Sequence, residues 1–577
     1  MLSIIVSQAL TTISPMIIRT TIDSIVGNEP IDSPIAFKAI DYIGGINYLR
    51  NNLLIIGLLI VITFILRGIF LYFKATLSNK SAENITERIR NHLYDHIQKL
   101  PYEYHVKSDT GELIQKCTSD VETIKRFLAI QLVDVAGSVF MLLFIVYVMI
   151  TINLKLALIS IIALPITFTF SFIFFNRVKK DFEKADEAEA RLSTALQENL
   201  TGMRVVKAFS RQQFEAENFD LKNKEHRNLV KKLVIDLSLY WSLSDLLSFT
   251  QVGLVIVAGT YFTVKGEITL GTLVAFTTYI YMLIWPIRQL GRTLTDMGKA
   301  TVSIKRIDEI LQEPIEILLE NGEEPPIKGH IQLKNVSFEY EKDKPVLRDI
   351  SFHVNPGETI AFIGPTGSGK SSLVHLLPRL YEYNQGSIKI DGIELKQIDK
   401  HWIRKNIGLV LQEPFLYAKT IKENIRLSDP KLIDFKVYDA AKVASIHNDI
   451  LSFDQEYETM VGERGVSLSG GQKQRMAIAR TIINNNPIVI FDDSLSAVDT
   501  STDIQIRKAL NERKNKSTTI IISHRIATVA KADMIYVIDK GKIVQRGKHE
   551  ELILEEGLYK RVYTIQSSFE DNFEEIN

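Results

Sequence analysis

TIAFIGPTGSGKSSLVHLLPRL, residues 359–380, is a β-branched run, a glycine-rich turn and a helical run in direct succession. A strand feeding G-x-x-x-x-G-K-S and then a helix is the setting of a phosphate-binding loop, so an α/β domain with a parallel sheet is expected around it. Gly364, Gly367 and Gly369 free the backbone to aim N–H groups at phosphate oxygens, and the following helix adds its positive end. Lys370 is suited to the β- and γ-phosphates, and Ser371 to Mg²⁺. The same loop supplies Pro365, Thr366, Ser368 and Ser372 as candidate ATP contacts. Further strands are expected at IQLKNVSF, IVIFDD, TTIIIS and MIYVID, with helical stretches between them.

Upstream the composition changes. Six apolar windows long enough for a bilayer lie near 1–25, 52–78, 127–151, 154–176, 233–264 and 269–297. The polar segments after the second and fourth windows carry Arg88, Arg90, Lys99, Arg126, Lys179, Lys180, Arg211 and Arg227, whereas residues 26–51 hold only Lys38 and Arg50. The positive-inside rule therefore places both long polar segments and the C-terminal half in the cytosol. The first window meets Arg19 and Asp23 early and falls slightly short of a full crossing, as a truncated start would leave it. It lacks a basic n-region and a small-residue cleavage pattern, so it reads as a span and not a signal peptide.

Ile85, Ile89, Leu93 and Ile97 continue a helical period past the second window, predicting a helix over 52–98 about 70 Å long. Residues 177–232 read as two more helical arms, and short helices are expected at the arm tips near Asp109 to Leu113 and Arg211 to Phe219. The expected organisation is a six-helix transmembrane domain over 1–309 with long cytosolic extensions, an acidic, Pro-bearing linker over 310–327, and a cytosolic α/β P-loop cassette over 328–577.

Lys+Arg and Asp+Glu both number 68, which leaves no basic field for nucleic acid. Cys117 is the single cysteine, which excludes an intrachain disulfide and a Cys-rich metal site. Arg67, Asp134 and Asp245 lie inside predicted spans, where ionisable residues serve a substrate path, pair with one another or line a wet cavity. Tyr279, Tyr281 and Trp285 fit an aromatic pocket or an interfacial belt equally well. The transported substrate is not legible.

IVIFDD reads as a buried strand whose Asp492 holds Mg²⁺. Between the phosphate loop and this strand lies LSGGQ, Leu468 to Gln472. On these motifs the chain resembles the ATP-binding cassette (ABC) family. VGERG, Val461 to Gly465, is similar to the family's loop facing the transmembrane arms, and SAVD, Ser496 to Asp499, to the D-loop by which its paired cassettes meet, with Asp499 in dimer communication. The resemblance implies that Tyr340 stacks on adenine, that Gln412 senses Mg²⁺ and the γ-phosphate, and that His524 contacts the γ-phosphate. It also implies that Ser469, Gly470, Gly471 and Gln472 touch ATP held by a second cassette, so the chain must pair. Over its whole length the chain resembles the exporter branch: YHVKSDTGELIQKCTSDVETI and RVVKAFSRQQFEAENF are similar to its two coupling segments. An exporter's usual elbow helix before the first span is missing here. ATP, Mg²⁺, membrane lipid, a small amphipathic substrate and a bacterial cell membrane are implied with it.

One position departs. Where the family has a Glu that polarises water, this chain has Asp493, a catalytic candidate about 1.5 Å shorter in reach. Misplacement of about 1 Å can cost roughly 10²-fold in rate, so the site is expected to bind ATP and split it slowly. The resulting reading is the degenerate-site half of a heterodimeric exporter of drugs or lipids, partnered by a half-transporter with Glu after its Walker B Asp. A homodimeric exporter with Asp as a slow base, and a nucleotide-gated channel or sensor component, stay open.

Overall fold

The computed structural model describes residues 2–31, 33–316, 322–462, 465, 468–495, 498–512 and 516–574. Two compact units emerge, one of residues 1–99 and 108–314, the other of 100–107 and 315–577.

The first unit is all helix. Among the described residues six helical segments are long and apolar enough to cross a membrane: Leu2–Val26, Leu53–Lys99, Thr110–Ile152, Leu154–Thr201, Gln212–Val264 and Leu270–Leu290. The last belongs to a helix that continues to Gln312. Asn153 breaks the chain between the third and fourth spans with extended backbone, and its side chain accepts from Leu156 N–H to start the next helix. The buried centre of this unit joins Met141, Ile145, Met149, Leu156, Val255, Phe276, Tyr279 and Leu283. Tyr279 is fully buried and donates its hydroxyl to Thr12 O at 2.9 Å, which satisfies its only polar side-chain atom, whereas Tyr281 and Trp285 are exposed. Trp285 stacks on Trp241 with ring centroids 6.1 Å apart.

One expectation is corrected. The short helix at the second arm tip is Met203–Ala208, and Arg211 to Phe219 instead opens the 53-residue helix Gln212–Val264. Gly202 and the left-handed Ser210, at φ 51°, bracket the short helix and make the turn. Asp134 and Asp245 do pair with ionisable residues of other spans: Asp134 binds Lys74 at 2.9 Å and Asp245 binds Arg288 at 2.7 Å. Both partners lie on neighbouring helices that local sequence does not bring together. Arg67 has no ion pair among the described residues.

The second unit is α/β and holds ten described strands: β1 Ile331–Glu339, β2 Pro345–Val354, β3 Thr359–Ile363, β4 Gln385–Ile390, β5 Ile393–Glu394, β6 Ile407–Val410, β7 Ile488–Asp492, β8 Thr518–Ile522, β9 Met534–Asp539 and β10 Lys542–Gly547. They form two sheets, β2-β1-β4-β5 and β10-β9-β3-β8-β7-β6. The first is antiparallel; the second is parallel apart from β10. IQLKNVSF thus belongs to a separate sheet, consistent with its burial on alternate residues.

The larger sheet is covered on both faces. Ile360, Phe362, Ile490 and Ile520 point into the layer shared with the antiparallel sheet, while Ala361, Ile363, Phe491 and Ile521 point into a layer of helices. That two-sided burial explains why these strands read as unbroken apolar runs. It also fixes the sheet edge from which the phosphate loop and Asp492 emerge.

Candidate functional site

β3 ends at Ile363 and the chain turns at once into the phosphate loop. A Cβ on Gly364 would lie 2.0 Å from Ile538 O, so only glycine lets the loop leave the sheet against β9. Gly369 sits at φ 100° and presses on Leu347 and Val346 of β2, opening the helix Lys370–Leu376. Pro365, Thr366 and Gly367 are exposed at the crest of the loop, whereas Ser368, Lys370 and Ser372 are buried.

Lys370 folds back into this loop. Its Nζ donates to Gly364 O at 2.9 Å, to Pro365 O at 2.8 Å and to Ser368 Oγ at 3.4 Å. Burial lowers its pKa, opposed by the negative charges of Asp493 and Asp492. Next to it, Ser371 Oγ donates to Asp492 Oδ1 at 2.8 Å, and His375 Nε2 lies 3.4 Å from Asp492 Oδ2. A hydroxyl and a carboxylate in contact are hard oxygen donors of the kind Mg²⁺ takes beside a nucleotide, so this pair fits the ion. A glycine-rich loop with an exposed crest that opens a helix likewise fits phosphate.

Asp493 follows directly, at the turn that ends β7. It adopts a left-handed backbone, φ 47°, which Asp tolerates better than most residues, and its N–H donates to Ile522 O at 3.0 Å. Tyr340 stands just past β1, half-exposed, edge-on to Phe338 and Tyr381 at 4.7 and 5.0 Å, with its hydroxyl donating to Ser372 Oγ at 2.9 Å. The ring therefore borders the loop that would hold phosphate. Gln412 is exposed in the segment after β6, and the carbonyl of its neighbour Leu411 accepts from Gln474 Nε2 at 3.3 Å.

LSGGQ forms the start of the helix Gly470–Ile482. Ser469 caps it reciprocally with Gln472: Gln472 N–H donates to Ser469 Oγ at 3.3 Å and Ser469 N–H to Gln472 Oε1 at 3.0 Å. Ser469 and Gly470 are exposed, and nothing lies within 4 Å of where a Gly470 Cβ would stand. The helix thus presents its donor end to open space and not to its own phosphate loop.

Residues 1–287 match the family described as ABC transporter transmembrane region, and residues 347–496 the family described as ABC transporter. YgaD of Bacillus subtilis, named as a multidrug export ATP-binding/permease protein, is 35% identical over 89% of both chains. A Staphylococcus aureus protein of the same description is 34% identical over 96% of this chain and 94% of its own. A solved bacterial Atm1-family ABC exporter with ATP bound superposes with a TM-score of 0.79 at 26% identity, covering 98% of both chains. This chain is an ABC transporter.

It is an ATP-driven exporter by family and an integral, multi-pass bacterial membrane protein, with a nucleotide-binding ABC domain that in this family works with Mg²⁺. Asp499 caps the helix Thr500–Asn511 by accepting from Thr502 N–H at 2.9 Å, and the Ser501 hydroxyl, first among its donors, holds its carboxyl well below the usual range. Ser496 and Ala497 of SAVD, and Glu463 and Arg464 of VGERG, lie outside the described residues. His524 is exposed on the loop after β8, with its carbonyl held by Gln566 Nε2 at 2.7 Å.

Several residues of this ABC domain carry no motif signal. Asp449 anchors Arg475 of the signature helix at 2.6 Å, and Arg480 reaches from the same helix to Phe415 O and Asn424 O. Tyr102, from the short helix Tyr102–Lys107 that groups with the cassette, sets its ring edge-on to Tyr381 at 5.5 Å. Only a structure pairs residues so far apart in sequence.

Proposed function

We propose that this chain is one half of a heterodimeric ABC exporter whose own ATP site is weakly hydrolytic, its partner being a second half-transporter with Glu after the Walker B Asp. The observation that carries this is Asp493. Its backbone N–H is tied to β8 through Ile522 O at 3.0 Å, so the main chain has little freedom to advance and make up the missing length of the side chain. The signature end, by contrast, is fully capped and exposed, as a segment lent to a partner's ATP would be.

In this reading Tyr340, Gly364 to Ser372 and Gln412 hold ATP, and Ser371, Gln412 and Asp492 hold Mg²⁺. His524 meets the γ-phosphate, Ser469 to Gln472 meet the partner's nucleotide, and Asp499 lies in the path between the two sites. The cargo is an amphipathic or hydrophobic solute, a drug or a lipid, in keeping with the naming of the B. subtilis and S. aureus relatives for multidrug export.

The test is steady-state ATPase of the chain purified alone, beside Asp493→Glu. The unchanged chain should turn over far below the roughly 10 s⁻¹ typical of enzymes. Asp493→Glu should raise its rate at least about 10-fold, within the roughly 10²-fold that such a misplacement costs. Brisk turnover of the unchanged chain sinks the proposal.

A further inference from the structure

The loop that bears His524 is fastened from outside the nucleotide site. Gln566, two turns into the C-terminal helix Leu558–Glu574, accepts from Ile526 N–H with Oε1 at 2.8 Å and donates through Nε2 to His524 O at 2.7 Å. One side-chain amide therefore grips the main chain on both sides of Arg525. The helix carrying it is itself fixed: Tyr559 N–H donates to Gln545 Oε1 at 3.1 Å, the Tyr559 hydroxyl meets His549 Nδ1 at 2.7 Å, and Tyr559 is buried in the same cluster as Ile526 and Val529.

The rest of the loop is tied down in the opposite direction. Ser523 N–H donates to Phe362 O at 3.3 Å, Ser523 Oγ accepts from Arg525 N–H at 3.1 Å, and the Arg525 guanidinium reaches Val498 O at 3.3 Å. His524 itself is exposed. These bonds hold the main chain on either side of His524, and the C-terminal helix supplies two of them.

We propose that Gln566 is the positioning residue for His524, so that the C-terminal helix sets how well the site tells ATP from ADP. This rests on the reading that His524 meets the γ-phosphate. A hydrogen-bonding group held in place ahead of its ligand binds without an ordering cost, and loosening the loop restores that cost for the γ-phosphate alone. ADP, lacking that phosphate, is indifferent to the clamp.

The experiment compares Gln566→Leu, Gln566→Glu and His524→Ala in the full-length protein with fluorescent ATP and ADP analogues in the presence of Mg²⁺. Gln566→Leu, which loses both bonds, should weaken ATP about 3- to 10-fold and leave ADP within about 2-fold, the scale of one or two net hydrogen bonds. Gln566→Glu keeps the acceptor for Ile526 N–H but turns a carboxylate oxygen on His524 O, so its effect on ATP should be at least as large as that of Gln566→Leu. Hydrogen exchange over residues 523–530 should rise in Gln566→Leu, a readout independent of what His524 does. Equal weakening of ATP and ADP would mean a purely structural role and overturns the proposal, as does an unchanged ratio alongside faster exchange. If His524→Ala leaves the ratio unchanged, the γ-phosphate reading of His524 fails and the proposal falls with it, while the exchange data still show whether the clamp exists.

Discussion

Tyr340 carries its ring upright between Phe338 and Tyr381, and its hydroxyl is already committed to Ser372 at the start of the phosphate-loop helix. Burial raises its pKa, so it is a neutral donor at any physiological pH. The ring and the hydroxyl can be separated by mutation. Tyr340→Ala should weaken ATP by about 1 to 3 kcal/mol if the ring stacks on adenine as aromatic rings do on other bases. Tyr340→Phe keeps the ring, loses only the Ser372 bond, and should change affinity by less than about 1 kcal/mol. Titration with a fluorescent ATP analogue decides it, and equal affinities for all three proteins would show that Tyr340 does not face the base.

At the scale of elements, the signature helix Gly470–Ile482 is bound to the segment after Gln412 by one side chain. Arg480 donates to Asn424 O at 3.0 Å, to Phe415 O at 2.9 Å and to Asn424 Oδ1 at 3.2 Å, and Asn424 in turn bonds Tyr417 N–H and O at 2.9 Å each. Arg480→Met keeps the apolar stem and strips the donors, leaving the carbonyl of the buried Asn424 unmatched. A cost of about 3 kcal/mol follows, and with it a fall of roughly 6 to 10 °C in the unfolding midpoint of the cassette. Thermal unfolding in detergent measures this, and an unmoved midpoint would show that the segment holds its shape without Arg480. None of that contact is visible in the sequence, where Arg480 is an ordinary charged residue of an amphipathic helix. What the sequence does show is local: the glycines and lysine of 364–370, the apolar run ending at Asp492 and the cap at Ser469 all announce themselves within a few residues. The second arm tip is hard to place from sequence because the Gly202 and Ser210 turns are weak signals beside a strong helical period on both sides. The partners of Asp134 and Asp245, and Gln566 beneath His524, come from distant stretches, and no spacing rule reaches them.

At the scale of the whole molecule, a mixed dimer would divide its labour unequally. Ser469 would complete the partner's competent site, while Lys370 serves this chain's own slow one. Ser469→Ala in the co-purified complex should cut ATPase by up to roughly 10² to 10³, the usual cost of a lost transition-state donor. Lys370→Ala should act mainly by weakening ATP-driven closure, and so cost less. Steady-state ATPase of the two single mutants is the comparison, and a clearly worse Lys370→Ala would place the competent site in this chain.

The helix Leu53–Lys99 runs 47 residues without a proline, and its apolar first half is almost entirely unburied. At 1.5 Å per residue it is a rod of about 70 Å with no joint at which to bend. A thicker or thinner bilayer must therefore be met by leaning the rod as a whole, and any lean at the lipid end is carried to Lys99 at the other. Lipid thickness thereby becomes an input to the transporter: reconstituted into vesicles of stepped acyl-chain length, its ATPase should peak at one thickness and fall on either side, whereas a flat profile would mean that the annulus deforms around a helix that stays upright.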